Sequence, residues 1–463
     1  MLLKRYVGDK AFYRRVIAVA LPIILQNLIT NFVSMLDNIM VGQLSTAQIG
    51  AVTIVNNNLL FVFYLALYGG AAGAGIFTTQ FFGSQNHEGI RHTFRFKFLV
   101  CLLLTAAGAG IFYFGADTLI GVYLQGQGDP ALAEETLRYG KEYLYIMLWG
   151  VLPFAVTNAY AGTLRECGHA TVPMVAGFVA TGVNLALNYV LIFGHFGVPA
   201  MGVSGAAIAT VISRYVEMLV VILWTHLNPE KNPYVNGLYR SLHIPGSLLK
   251  SIIIRGMPLL ANEFLYSTGM ALLNQCYSYC DLNVVPALSI STTICNLTAV
   301  VFRSLGNSTG IITGQMLGAG CSEEEVRDNN RKQLALGVAS GVAFGVVTIA
   351  LSSLFPMLFN TTDTVRHLAA WLIIIFALDM PLQAYIFPVY FTLRAGGKTV
   401  ITFLFDCGSI WVLSLPLAYC LSRFSPLPIL TIYLLVNAID IIKCGIGYAM
   451  IKKGDWIQNL TIK

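Results

Sequence analysis

Asp37 is the residue of this chain best placed to do chemistry. It stands in Val16–Gly42, an apolar run long enough to cross a bilayer, with Gln26, Asn27, Thr30, Asn31, Ser34 and Asn38. At the helical angle these polar side chains fall within an arc of roughly 140°, and Ile, Leu, Val and Met cover the rest. A carboxylate at bilayer depth costs about 2.5–3.5 kcal/mol on insertion scales, so it belongs on a face turned away from lipid. Two arrangements suit it there: an acid satisfied by neighbouring amides, or an ion or proton site facing a cavity. Intramembrane acids favour the second. Asn184 and Asn188 lie four apart on another apolar stretch and share a helix face, where two amide oxygens can converge. Oxygen ligands suit a hard cation such as sodium, and a lone carboxylate flanked by amides equally suits a proton.

A second set of charges lies in the other half of the chain. Glu263 shares a polar face with Asn262, Tyr266, Ser267 and Asn274, and Arg303 shares one with Ser289, Thr292, Asn296 and Asn307. Each alone is expensive in lipid, so the two are expected to pair, for structure or for protonation. Asp379 sits with Gln383 and Phe387 on one face, near Tyr385, Tyr390 and Phe391, rings that either pack or stack on an organic cation. Arg214 with Glu217, and Asp440 with Lys443, are three apart and read as self-neutralising scaffold, with Asp406 as a cap or partner of a basic loop.

The elements that must position these residues are membrane spans. Apolar residues make up 56% of the 463 residues and charged ones 11%, well below the quarter usual in soluble proteins. Twelve spans are read near Val16–Met40, Ile49–Phe77, Phe96–Phe114, Tyr139–Tyr160, Val172–Phe193, Val203–Thr225, Ile252–Cys280, Val284–Ile312, Leu334–Leu358, Leu368–Phe391, Val400–Leu421 and Ile429–Ile451. The basic start (Arg5, Lys10, Arg14, Arg15) leads into an uncleaved anchor rather than a signal peptide. The nine cysteines read as small buried hydrophobes, and no metal site, cofactor or nucleic-acid partner is expected.

The longest polar break, Asn228–Lys250, divides the chain into an N-terminal six-helix lobe (1–230), a cytoplasmic linker (231–250) and a C-terminal six-helix lobe (251–463). The halves echo each other. Leu21-Pro22 matches Met257-Pro258, Thr79-Gln80-Phe81-Phe82-Gly83 matches Gly314-Gln315-Met316-Leu317-Gly318, and Leu164-Arg165 matches Leu393-Arg394. With six spans in each half the repeats are parallel, and an all-α protein of two lobes around a central cleft is expected, the cleft binding cargo.

These motifs, with Asp37-Asn38-Ile39-Met40-Val41-Gly42, Gly202 with Gly205-Ala206-Ala207, and Gly256-Met257-Pro258, resemble the multidrug and toxic compound extrusion (MATE) transporters over nearly the whole chain. The resemblance implies no enzyme but an alternating-access antiporter of the bacterial inner membrane. It would export small organic cations in exchange for protons or sodium ions, as a monomer among membrane lipid. It assigns ion coupling to Asp37, Asn184, Asn188 and Thr210, with Asn188 where many relatives have Asp. Glu263 matches an acid of many relatives and Gln383 stands where some carry one; with Arg303 and Asp379, read from the residues alone, they are expected to form the C-lobe cleft.

Lipid-linked precursor flippases share the fold and are the nearest alternative. A membrane enzyme lacks support in the absence of H-E-x-x-H, G-x-S-x-G or clustered Asp motifs, and a channel lacks pore-like charged rings. Arg91, Arg95, Lys97, Arg165, Lys231, Arg240, Lys250, Arg331, Lys332 and Lys452 fall on one side, against Arg138, Lys141, Arg366 and Arg423 on the other. The positive-inside rule places both termini and the linker in the cytoplasm. Single cysteines in 231–250 should therefore stay unlabelled by an impermeant thiol reagent added to intact cells; labelling would reverse the topology.

Overall fold

Hydrocarbon offers backbone N–H and C=O groups no partner outside the chain, so spanning segments must satisfy them internally. The computed structural model describes residues 5–124, 129–281, 283–359 and 361–461, and no strand occurs among them. The side chains of Ser34 and Asn38 lie outside the description. Twelve long helices follow in order among the described residues: α1 Lys10–Val41, α2 Thr46–Gly83, α3 His87–Leu124, α4 Pro130–Glu166, α5 Thr171–Phe193, α6 Gly202–Leu227, α7 Gly246–Ser278, α8 Val284–Gly318, α9 Glu323–Leu351, α10 Asp363–Ala395, α11 Thr399–Phe424 and α12 Ile429–Lys453. Eleven are long and apolar enough to cross a membrane. The exception, α7, has the length, but Asn262, Glu263, Tyr266, Ser267 and Asn274 dilute its apolar character.

Ten of the twelve expected spans fall inside these helices; the other two run past a helix end. Ile252–Cys280 overruns the end of α7 by two residues. Leu334–Leu358 overruns α9 by seven, because Phe355–Leu358 is a separate 3₁₀ turn around Pro356, which has no N–H to continue the ladder. The long second span carries a π-helical segment, Ile54–Leu60, between its α-helical parts. Local chemistry sets several starts. Asp129 accepts from Ala131 N at 3.0 Å ahead of Pro130, and Ser322 and Glu325 form a capping box at α9. Nine cysteines are free, five of them buried.

The chain packs as two compact units. One contains 25–78 and 87–256; the other contains the residues up to Ile24, Thr79–Asn86 and Met257 onward. In the first, α6 packs on α4 and α5, and α3 on α4. In the second, α10 is the centre and packs on α8, α9 and α12. Gly337, Gly341 and Gly345 recur every fourth residue along α9. A Cβ on them would stand 2.6, 2.8 and 2.8 Å from the carbonyl oxygens of Ala384, Met380 and Ala377, so only glycine lets α9 lie this close to α10.

The segment after α6 is not a loose tether. Arg95 of α3 donates to three of its carbonyls: Leu238 (2.8 Å), Gly237 (3.0 Å) and His243 (3.2 Å). Arg91 donates to Tyr234 at 3.2 Å, and the Tyr234 ring is fully buried. His169, between α4 and α5, reaches the Lys231 carbonyl; burial holds its ring below the usual histidine range, against that bond. These partners explain why α3 begins well before its apolar stretch: its basic N-terminal end is satisfied by the linker backbone. Charge-assisted bonds contribute about 1.5–3 kcal/mol each. Arg95→Met should therefore lower the unfolding temperature and open 231–250 to limited proteolysis; native-like resistance would show that Arg95 does not hold the segment.

Candidate functional site

In the first unit, α5 and α6 must approach closely before their polar groups can meet. Gly205 permits it, since a Cβ there would lie 2.6 Å from the Leu191 carbonyl. Asn188 Nδ2 donates to Asp37 Oδ1 at 2.6 Å and to Asn184 Oδ1 at 3.2 Å. Asn184 Nδ2 donates to Thr210 Oγ1 at 3.4 Å, and Thr210 Oγ1 donates to the Ala206 carbonyl. The structure thus brings Asp37, Asn184, Asn188 and Thr210 into one hydrogen-bonded chain across α1, α5 and α6. Asn188 is 1% exposed, and its Oδ1 has no hydrogen-bond donor among the described residues. An acceptor left unpaired at such depth is costly. Beside a carboxylate, it offers a lone pair to a proton donor or a hard cation.

The sequence reading did not single out Asn56, which donates to Tyr143 Oη at 2.9 Å from the π-helical segment. Tyr143 is close enough to Asp37 to feel its charge. Three successive asparagines, 56–58, were the available signal. Arg214 makes no ion-pair contact with Glu217 among the described residues, although its charge acts on that carboxylate. Its guanidinium lies 4.4 Å from the Phe154 ring centre and 5.1 Å from that of Tyr64, with Tyr64 Oη at 3.4 Å. Three residues of helical spacing put the two on one face, but the rings of α2 and α4 capture the flat cation first.

In the second unit, a cavity of about 390 Å³ is walled by α7, α8, α10, α11 and α12. Glu263, Arg303 and Gln383 line it, and Asp379 stands behind Gln383. Gln383 Nε2 donates to Asp379 Oδ2 at 3.1 Å and also to Asp440. Lys443 Nζ lies 3.9 Å from Asp440 Oδ1 and 3.8 Å from Asp406 Oδ1. Asn262 Nδ2 closes the series, donating to Asp406 Oδ2 at 3.1 Å and Tyr390 Oη at 3.4 Å. One continuous polar network therefore joins α7, α10, α11 and α12.

Two expectations are corrected here. Glu263 and Arg303 make no ion-pair contact among the described residues: the charges that act on Glu263 are those of Arg394 and Asp406, and Arg303 lies over the Phe387 ring at 5.5 Å. Asp406 serves no basic loop; it joins Lys443 and Asn262 inside the unit. The Asp440–Lys443 pair has its expected spacing, but it lines the cavity rather than a mere scaffold.

A family model described as MatE matches residues 22–190 and 258–420, one stretch in each half. The probable multidrug resistance protein NorM of Thermotoga maritima is 23% identical over 451 residues, covering 97% of this chain and 94% of its own. The multidrug resistance protein MdtK of Edwardsiella ictaluri is 24% identical over 412 residues, covering 88% and 87%. Among solved structures, a Pyrococcus furiosus transporter of the MOP superfamily, described as having a binding pocket of reverse polarity, superposes with a TM-score of 0.84. It shares 19% identity over 97% of this chain and 98% of its own, a likeness of fold.

Lys443 is the cation that two carboxylates of the second unit, Asp406 and Asp440, bracket. Breaking a buried pair by removing one partner costs about 3–5 kcal/mol. Lys443→Met should lower the unfolding temperature in detergent sharply, and Asp440→Asn added to it should restore part of the loss. Strictly additive losses would show that the two side chains are not coupled.

Proposed function

Since the chain belongs to the MatE family, whose members are transporters and not enzymes, we propose that it is a secondary antiporter. It exports small organic cations in exchange for protons or sodium ions by alternating access. It is a multi-pass membrane protein; we place it, as a monomer, in a bacterial inner membrane with both termini cytoplasmic, following the asymmetry of its basic residues. Multidrug resistance is what the names of its relatives say, and export of many compounds is our reading of it.

The observation that carries the coupling is the chain from Asp37 through Asn188 and Asn184 to Thr210. It has one charge, held by amides that cannot titrate. A proton cancels that charge on Asp37 itself. A sodium ion cancels it while taking oxygens from Asp37, Asn188 and Asn184. In either case the occupied and empty sites differ by a full charge in a low dielectric, which is a large lever on a two-state protein. Cargo goes to the cavity of the second unit, where Glu263 supplies an anion and Tyr266, Phe387 and Tyr390 supply ring faces. A lipid-precursor flippase is the second reading, favoured by Arg303, Arg394 and Lys443 in the same cavity. Glu263, Asp406 and Asp440 offset them, so the wall is not the cationic one that a pyrophosphate would need.

The test is Asp37→Asn, which keeps shape and hydrogen bonding but removes the charge. In proteoliposomes with proton and sodium gradients imposed separately, the variant should insert and bind cargo. Its concentrative export should fall by about 5- to 150-fold, the range of a 1–3 kcal/mol coupling. Asn188→Ala should show a weaker form of the same defect. Uphill export with unchanged ion dependence in Asp37→Asn would move the coupling site elsewhere, to Glu263 or Asp379 first.

A further inference from the structure

Helix α6 carries one carboxylate, Glu217, in the middle of an apolar span. Thr210, Arg214 and Glu217 are four and three residues apart, so they fall within about 60° of one face. Thr210 is the last member of the chain that begins at Asp37. The face of α6 that meets the coupling site therefore continues past Arg214 to Glu217, about 10 Å further along the axis toward the linker.

Glu217 has no hydrogen bond and no ion pair among the described residues. The helices packed on α6 are α4, α5 and, more lightly, α2. From them, and from α6 itself, the charges that act on Glu217 are those of Arg214 on α6 and Arg165 on α4. Tyr68 of α2 feels all three, and α5 contains no charged residue. Neither guanidinium is committed to the carboxylate. Arg214 lies on the Phe154 and Tyr64 rings, and its Nε has no acceptor among the described residues. Gly150 sets this arrangement, since a Cβ there would stand 3.1 Å from Val211 Cγ2 and 3.6 Å from Arg214 Cδ. Arg165 turns back along α4 and donates from Nε to the Ala161 carbonyl at 3.2 Å. Tyr68 is 48% exposed although those three charges act on it, so open space adjoins the carboxylate.

A carboxylate within a span, with no donor of its own, marks an ion or proton path rather than scaffold. The neighbours decide which. A sodium ion needs several oxygens around it, and here it would meet two guanidiniums that repel it. A proton needs a single oxygen and no further ligand. Arginine cannot give up its own proton, so Arg214 turns metal cations away while a proton passes it along hydroxyls and water.

We propose that Glu217 is a proton-transfer group, the acceptor on the linker side for the proton that Asp37 releases. In the step, the O–H bond on Asp37 breaks and an O–H bond forms on Glu217. Asp37 is left as a carboxylate, Glu217 becomes neutral, and the net charge of the interior is unchanged. The Tyr64 and Tyr68 hydroxyls and water beside them bridge the interval, each taking one proton and giving one. Glu217 then yields its proton to water on the linker side, which is the cytoplasm in the topology we propose.

This rests on the antiport reading and deepens it, naming the proton as the ion and Glu217 as its second station. The experiment separates the two. Protein in liposomes with entrapped pyranine, which reports internal pH, is given an ethidium gradient. In the native protein, ethidium should drive protons the opposite way. Glu217→Gln should slow that proton flow about 100-fold, the lower end of what a positioned proton-transfer group contributes. It should also remove one limb of the rate against pH, with ethidium affinity unchanged. Glu217→Asp keeps the carboxyl and should keep most of the flow and the limb. A structural role predicts the reverse order, because Gln matches the shape of Glu and Asp does not. Where the Gln variant does not fold, the Asp variant decides, since a shorter and stronger acid should displace the limb; an unmoved limb overturns the proposal. Proton flow in Glu217→Gln equal to that in Glu217→Asp, or sodium alone moving against ethidium, also overturns it and leaves an antiporter standing. If neither ion moves against ethidium in the native protein, the antiport reading fails, and the proposal with it.

Discussion

A charge inside a membrane protein must be answered within the chain, because neither water nor counterion reaches it freely. Lys443 shows how strictly this constraint acts. An ammonium on the last helix is tolerable only because Asp440 shares its face and Asp406 comes from the neighbouring helix. Those carboxylates then need donors of their own, which Gln383 and Asn262 supply. The network therefore ties four helices together, and the cavity in its midst is shaped by the need to satisfy it. The same constraint governs the backbone, which is helical in every described span, and the linker, whose carbonyls answer the buried Arg95.

What the amino-acid order made legible was everything that helical periodicity controls. The spans follow from apolar length, the repeat from matched motifs, and the polar stripe around Asp37 from its angular clustering. Asn184 and Asn188 were readable as one face because four residues make about one turn. The choice of partner across helices was not readable. Periodicity shows which side of α7 bears Glu263 and which side of α8 bears Arg303, but not which helix each side meets. Since α8 packs on α10 through Gly306 and Gly310, Arg303 finds Phe387 rather than Glu263. The same reason draws Arg214 onto rings of α2 and α4 rather than into direct contact with Glu217, on which it acts only at a distance. Asp440 and Lys443 were legible as a pair; Asp406, distant in sequence, was not.

The polar networks of the two units differ in chemistry as well as in membership. In the first, a single carboxylate is held by two amides and a hydroxyl, so one charge is at stake and all of it lies on Asp37. In the second, acids and bases are present together, and most of them cancel. A site with one charge and no counter-charge responds most strongly to a bound proton or monovalent cation. A site with several charges of both signs responds weakly to one ion but discriminates among molecules by the placement of theirs. This difference is the physical ground for assigning the driving ion to one unit and cargo to the other.

Asn188 concentrates that logic in one side chain. Its amide nitrogen is already committed twice, to Asp37 and to Asn184, and its oxygen has no donor among the described residues. An Asp in that place would add a second carboxylate and could not donate to the first while ionised. With Asn the two helices are held together by a donated bond, at the cost of one buried acceptor. A proton arriving on Asp37 would weaken that donated bond by converting its charged acceptor to a neutral one. Sodium would instead compete for the oxygens and turn the unpaired one into a ligand. Either event would change the link between α1 and α5, so in the coupling we propose occupancy at Asp37 would be read as a change in helix contact, the minimum that coupling to a conformational step requires.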